Sequence, residues 1–581
     1  MQSVHIKNSW LLTFFLLTIV AIALFAFQPQ EMIRDSAYWA RLVETRDPNI
    51  WHPHHLIYMP INLAILDLLA FFCSDCNAID AGQIHSAVWA FVTVLCMQAI
   101  VFRFTGKPFI AFSFALLIAT SQMPWVFAMQ PQAYTPLIGS LSLLLAYLFR
   151  TKSDPYSLGW ALFTAALYGL TVLYHQAMVL ISLPLAYYVF RVKRSHRFEG
   201  PAVVLFVSGT VVLLLYVWAA GYVKGELSPR SFYEYLTFFG QVMADPTYFN
   251  LDNFTIHNFV TLLNSQLSVI QAPIWKFKEP ILWIFTVILG GGVIWNVRQV
   301  IVRADFSDER LFLVLLIIIF WGLTIWGNPV GDGWPTFILL PIFLVLSIII
   351  YDLSGVFGKI KYANGSVAFV LFLLVFAGAA RNFNERILPM HLDRGEDYRQ
   401  AELIAAVVPK DCTIYESRML VYYNLDYFFS RTIRDFWDMI TASYYGSGRQ
   451  REMYFGVPDE SQCIALDVRY LHPLYRVSGK TAFDFPEEWA ALVGWIFDIE
   501  ETSPGLFQWR QMRAARTSSG QSYVIISRGR GGEPLPIDHF WRALVSASAS
   551  GEKDTVDAHA DWLRHACEGK KLQSYFGSLC G

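Results

Sequence analysis

Long apolar runs, separated by short polar stretches, fill the first two thirds of the chain. They predict membrane-spanning helices at roughly 10–27, 85–102, 108–121, 132–149, 157–173, 176–191, 201–222, 281–298, 310–327, 335–351 and 366–382. Most are close to the length of about 20 residues that a hydrocarbon core of about 30 Å demands. One further apolar stretch, His55 to Phe72, carries Pro60, Asn62 and Asp67. It is expected to lie along the outer interface, with a twelfth span as the alternative. Beyond about residue 383 the pattern becomes that of a soluble domain. Asp397 to Val408 has helical spacing, Cys412 to Tyr415, Cys463 to Val468 and Ser522 to Ser527 read as strands, and helical spacing returns at 487–496 and 538–548. The expected fold is therefore an α-helical polytopic membrane protein of about 11 transmembrane helices over 1–382, followed by a soluble α/β or α+β domain over 383–581.

Composition agrees. Of 581 residues, 55% are hydrophobic and 15% charged, with a mean hydropathy of +0.40, whereas soluble domains carry about 25% charged residues. This excludes a soluble enzyme, a disordered chain and a basic nucleic-acid binder. The net charge of −2 says little; the placement of charge says more. Basic residues gather at Arg103/Lys107, Arg150/Lys152, Arg191/Lys193/Arg194/Arg197, Arg298/Arg303 and Lys359/Lys361. With the N-terminus inside, an eleven-span count puts all of them on the cytoplasmic side, as the positive-inside rule requires. The loops at about 28–84 and 223–280, and the tail, then face outwards. The first apolar segment, Trp10 to Phe27, is longer than a signal-peptide core and lacks a clear cleavage site, so it is read as a retained helix. The spans at 108–121, 132–149, 201–222 and 335–351 hold no Asp, Glu, Lys or Arg. Ion-coupled transporters place such residues at mid-membrane, so the chemistry is expected at the outer surface.

Of the seven cysteines only Cys96 falls within a span; the other six lie outside on this topology. An oxidising compartment permits the pairs Cys412–Cys463 and Cys567–Cys580, and a tight bridge between Cys73 and Cys76.

The first outer loop carries the candidate chemistry. Asp35 stands just beyond the first span and opens an amphipathic stretch with Tyr38, Trp39 and Leu42 on one side. At the mouth of a membrane-facing cavity it would take a proton from an attacking hydroxyl; as a helix cap it would do no chemistry. Trp51-His52-Pro53-His54-His55 places three imidazoles in five residues. Imidazoles hold phosphates, orient sugars and bind metals. Zinc needs three or four convergent ligands, and these histidines share no face of a regular element. The loop 223–280 joins many aromatic residues to Arg230, Lys276 and Lys278. It reads either as a surface that stacks on sugar and neutralises phosphate or as an interfacial helix pair.

These features together resemble the GT-C superfamily of polytopic glycosyltransferases, of the protein O-mannosyltransferase or aminoarabinose transferase type. The resemblance rests on the retained first span, the acidic residue followed closely by Tyr in Asp35-Ser36-Ala37-Tyr38, the Pro-rich interfacial stretch HPHHLIYMPINLAIL, and a second span that opens near His85. QPQAYTPL at 130–137 and GDGWPTFILLP at 331–341 resemble outer motifs of the same enzymes. Two departures stand out: Ser36 follows Asp35 where the family often has a second acid, and Asp245 and Asp252 are separated rather than paired. The resemblance implies an inverting transfer of a sugar from a polyprenyl-phosphate donor to a lipid, glycan or protein hydroxyl at the outer leaflet of a bacterial inner membrane. Asp35 would be the catalytic base. Tyr38, His52, His54 and His55 would bind substrate and phosphate, together with Gln132, His175, Lys276 and Lys278. No cofactor is expected, and a divalent metal is not favoured. A flippase of lipid-linked saccharide, or a non-catalytic assembly subunit, is the alternative.

Overall fold

The computed structural model of the chain describes residues 12–13, 15–23, 26–32, 36–236, 254–270, 309–327, 333–357, 363–416, 419–435, 463–467, 509–516 and 522–528. It divides into two compact units, one of residues 1–31 with 39–393 and one of residues 32–38 with 394–581.

The first unit is helical, and its helices fall on the apolar runs. Ala78–Thr105, Pro108–Thr120, Tyr134–Arg150, Leu158–Tyr174, Glu199–Lys224, Glu309–Gly327, Gly333–Phe357 and Ala363–Asn382 each cover an expected span. Residues 15–23 of the first span are helical, and the span expected at 281–298 lies outside the described residues. Ala78–Thr105 and Glu199–Lys224, of 28 and 26 residues, are about 42 and 39 Å long at 1.5 Å per residue. Among the described residues they and Glu309–Trp326 are long and apolar enough to cross a membrane alone; the chain is an integral membrane protein. Tyr58–Leu69, in the stretch expected at the interface, has 12 residues, about 18 Å, too short to cross.

Two helices depart from the expectation. The run at 108–128 bends by 65° between Pro108–Thr120 and Gln122–Ala128, where Ser121 leaves the helical region and Pro124 follows. The run at 176–191 starts as a 3-10 turn, Gln176–Ile181, before the α-helix Ser182–Val192 begins.

Local chemistry sets the helix Ala78–Thr105, which carries His85 and Trp89. Asn77 caps Ala78–Thr105 by accepting from the Ile79 and Asp80 amides, while the Asp80 carboxylate accepts from the Asn77 amide at 2.8 Å. Such a box satisfies amides that the first turn leaves unpaired. Gly106, at φ 60°, ends the helix in the left-handed conformation that glycine adopts without strain. Gly139 lets Tyr134–Arg150 pack closely: a Cβ there would lie 2.6 Å from the Trp89 ring and 2.8 Å from its carbonyl oxygen.

The second unit is built on a five-stranded sheet in the order β2-β1-β3-β5-β4. The strands are β1 Cys412–Glu416, β2 Ile433–Asp435, β3 Cys463–Asp467, β4 Trp509–Arg516 and β5 Ser522–Arg528. β1 runs parallel to β2 and β3; β5 runs antiparallel to β3 and β4. β1 is buried along its whole length, as a strand covered on both faces must be. Helices Gly395–Val407 and Met419–Phe429 supply Ala401, Ile404, Val421 and Leu425 to its core. Cys412 and Cys463 face each other in the β1–β3 register and are bridged; Cys73 and Cys76 are bridged in the first unit. Cys567, Cys580 and the helical patterns at 487–496 and 538–548 lie outside the described residues. β2 and β4 were not among the expected strands.

Candidate functional site

The first outer loop is held against the helix ends by its backbone. The His54 carbonyl accepts from the Gln176 amide at 3.3 Å, and the Leu173 carbonyl accepts from the Ile57 amide at 3.4 Å. Tyr216 donates to the Pro53 carbonyl at 2.6 Å, and Tyr235 donates to the Trp51 carbonyl. Leu56 packs beneath it against Leu173, Tyr216, Ala219 and Ala220. A loop fixed at four carbonyls or amides presents its side chains in one arrangement.

That arrangement gathers four imidazoles. The His55 ring centroid lies 4.9 Å from that of His175, 6.2 Å from that of His52 and 6.3 Å from that of His54. His52 and His54 are 5.2 Å apart. The absence of a regular element in the loop does not scatter them, because a turn brings the His55 amide to the His52 carbonyl at 3.0 Å. His175 comes from the chain's far side as the residue between Leu158–Tyr174 and the 3-10 turn. Trp39 meets the His55 ring edge-on at 5.1 Å, and Tyr134 stands 6.2 Å from it.

Each imidazole has a defined neighbour at Nδ1. His55 Nδ1 is 3.0 Å from the Tyr174 carbonyl oxygen. The Gln176 amide group meets His54 Nδ1 at 2.8 Å. The Ala177 backbone amide donates to His175 Nδ1 at 3.1 Å, and that of His54 to His52 Nδ1 at 3.3 Å. His54, His55 and His175 are buried, and His52 is the least covered of the four. Burial, which penalises the charged ring, pushes His55 down to about 4 against a weaker upward pull from the Tyr174 carbonyl. Burial and the neighbouring His55 push His52 down to about 3; burial first and then His52 take His54 well below its ordinary value, and burial first and then His55 do the same to His175. The cluster is uncharged at neutral pH.

A second layer lies behind it. His85 Nδ1 contacts Asn62 Oδ1 at 2.6 Å, and its Nε2 lies 3.0 Å from the Tyr174 hydroxyl, which also accepts from Trp89 Nε1 at 2.9 Å. Tyr58 stacks on His85 at 5.2 Å and meets Trp39 at 5.5 Å. This network fixes Tyr174, whose carbonyl in turn holds His55.

Of the expected site residues, the structure brings His52, His54, His55 and His175 together. Gln132 is buried and its carbonyl accepts from Ser86 Oγ at 3.3 Å. Tyr38 belongs to the second unit, where it stacks on Tyr423 at 5.1 Å. Asp35, Lys276 and Lys278 lie outside the described residues. Asn62, Trp89, Tyr174 and Gln176 join these residues without having been expected at the site. Three of them have a signal in the sequence: Tyr174-His175-Gln176 interrupts an apolar run, and Asn62 breaks another.

Among the described residues, Asp411, Cys412 and Cys463 are a group of three with ligand atoms within 4.8 Å of one another. Both thiols are joined in the disulfide, so neither is a thiolate for a metal. No three histidine nitrogens among the described residues gather at that spacing.

The fold is one already seen in solved structures. ArnT from Cupriavidus metallidurans bound to undecaprenyl phosphate aligns with a TM-score of 0.52 at 11% identity, over 90% of this chain and 99% of that one. The same protein in the apo state gives 0.50 over 91% and 100%. The oligosaccharyltransferase of Archaeoglobus fulgidus, tethered with an acceptor peptide containing the NVT sequon, gives 0.50 at 12% identity, over 91% of this chain and 75% of that one. The resemblance to polytopic GT-C glycosyltransferases is thus met in the fold. No protein-family model and no curated protein matches the chain.

Proposed function

We propose that the chain is a membrane glycosyltransferase that moves a sugar from a polyprenyl-phosphate carrier to an acceptor hydroxyl at the outer leaflet. The observation that carries the reading is the histidine cluster, held on a pinned loop within a fold like that of ArnT, whose solved structure holds undecaprenyl phosphate. Uncharged imidazoles in a dry setting are fixed hydrogen-bond donors that need little rearrangement when a phosphate arrives. In this reading the membrane is a bacterial inner membrane, with the tail domain and both long loops on its extracytoplasmic side and the N-terminus on its cytoplasmic side.

In the transfer, the acceptor oxygen forms a bond to the anomeric carbon as the bond from that carbon to the phosphate oxygen breaks, with inversion. Asp35 takes the acceptor's proton. The carrier leaves as a phosphate monoester, one negative charge richer than the diester it was. His52, His54, His55 and His175 receive that phosphate, Lys276 and Lys278 offset its charge, and Gln132 positions the donor. Most of the rate gain comes from holding donor and acceptor in line.

Asp35→Asn tests the reading. It keeps size and capping ability and removes proton acceptance. Transfer from a polyprenyl-phosphate donor in liposomes should fall by ~10² to 10⁴, with a stability cost of at most about 1 kcal/mol. Unchanged turnover in a folded Asn variant makes Asp35 a cap and returns the chain to the flippase or assembly alternatives.

A further inference from the structure

The two disulfides sit in opposite surroundings. Cys412–Cys463 joins neighbouring strands across a separation of 51 residues, and both of its cysteines belong to the core of the tail. Cys73–Cys76 has a separation of three, in the connection between helices Tyr58–Leu69 and Ala78–Thr105. Its cysteines are half-buried, and Ser74 and Asp75 between them are exposed. Asp75 accepts from Ser74 Oγ at 3.0 Å, which sets a carboxylate beside the bridge and keeps the turn in water. A thiolate opens a disulfide by reaching one of its sulfurs, so the rate depends on access. Access favours Cys73–Cys76.

The bridge is also not what holds its two helices. Arg46 pairs with Asp67 near the end of Tyr58–Leu69. At the start of the next helix, Glu44 accepts from the Ala78 amide at 2.9 Å, and Asn77 forms the capping box with Asp80. Further in, Asn62 contacts His85 and Tyr58 stacks on it. None of these contacts uses a cysteine. Closing three residues also constrains the unfolded chain less than closing 51. A bridge so placed opens and closes while the fold stands.

We propose that Cys73–Cys76 is a thiol–disulfide exchange site, opened and re-formed by a dithiol protein while Cys412–Cys463 stays closed. A thiolate of the partner attacks one sulfur of the bridge. The S–S bond breaks, a mixed disulfide forms, and the other cysteine leaves as a thiolate that takes a proton from water. The partner's second thiolate then attacks its own protein's sulfur in the mixed disulfide, and the remaining cysteine is released and protonated in turn. Cys73 and Cys76 together gain two electrons and two protons, and the partner's dithiol, oxidised to a disulfide, loses them. An oxidised partner runs the same steps backwards and restores the bridge. Exchange at this turn is independent of sugar transfer and stands or falls apart from it.

The experiment uses the full chain, folded in detergent, and two probes. The first is dithiothreitol, followed by maleimide alkylation and mass mapping over time. Cys73 and Cys76 should become modified at least roughly tenfold faster than Cys412 and Cys463, and oxidised glutathione added after removal of the reductant should restore the bridge. The second probe is thioredoxin whose resolving cysteine is replaced by serine, which halts the exchange at the mixed disulfide. It should be captured on Cys73 or Cys76 of the wild type. Cys73→Ser and Cys76→Ser each remove the bridge, and neither should capture the reduced probe. Equal rates at the two bridges overturn the proposal, and so does a Cys73–Cys76 bridge that resists reduction until the protein is denatured. Opening by dithiothreitol with no capture of thioredoxin restricts access to small thiols and overturns the dithiol protein as partner. Alkylation of Cys73 and Cys76 without any reductant means that no bridge exists to exchange. The wild-type measurements decide the matter even if a serine variant does not fold.

Discussion

At the scale of single residues, the buried histidines tie stability to pH. His55 is pushed down to about 4 in the folded protein, while an unfolded histidine titrates near 6.5. Below about pH 6.5 the unfolded chain binds a proton that the folded cluster refuses. Stability is therefore whole above about 6.5 and is lost as pH falls from there towards 4, at up to about 1.4 kcal/mol per pH unit for each histidine that stays neutral. Melting temperature of the ligand-free protein in detergent should decline over that interval, and His55→Asn should flatten the decline. A pH-independent melting point from 7 to 5 would mean that the rings are solvated. The histidines themselves were legible, because three imidazoles in five residues need no structure to be noticed. Their convergence was not. His175 is 120 residues from His55 in the chain (175 − 55), and the Tyr174 carbonyl that fixes the His55 hydrogen is a backbone atom, to which side-chain pattern is blind.

Helices show the same division. Apolar runs reported where most spans lie to within a few residues, since burial in lipid or protein needs a continuous apolar stretch and little else. They did not report the bend at Ser121 or the 3-10 turn at Gln176–Ile181. Both depend on which amide meets which acceptor; His175 Nδ1, for one, takes the Ala177 amide at 3.1 Å. Close packing was equally hidden. Gly139→Ala would drive a methyl against Trp89 at 2.6 Å, between two helices that both carry or support the cluster. The expected cost is ~1 to 3 kcal/mol, read as a lower melting temperature; a melting temperature equal to that of the wild type would show that the helices can part freely.

For the molecule as a whole, the tail's central strands β1, β3 and β5 were legible as short apolar runs. β2 was not, because three residues make no pattern, and β4 was not, because Trp509–Arg516 reads WRQMRAAR, with three arginines in eight positions. The cysteines test the topology. With Cys73–Cys76 and Cys412–Cys463 bridged and Cys96 a buried thiol, alkylation of the denatured, unreduced protein should modify Cys96 and leave those four cysteines untouched. Modification at Cys412 and Cys463 would place the tail in the reducing cytoplasm.

The Cys412–Cys463 bridge also closes a loop 51 residues long, which in the chain-entropy account stabilises the tail by about 4 kcal/mol. It changes what a protease can accomplish. A single cut anywhere between these two cysteines breaks the peptide chain and leaves one covalent molecule, because the fragment bearing β3, β4 and β5 remains tied through sulfur to the fragment bearing β1 and the membrane helices. Such a nicked protein runs at full length on a gel without reductant and as two bands with it. Damage of this kind would be masked until a reducing agent separated the pieces.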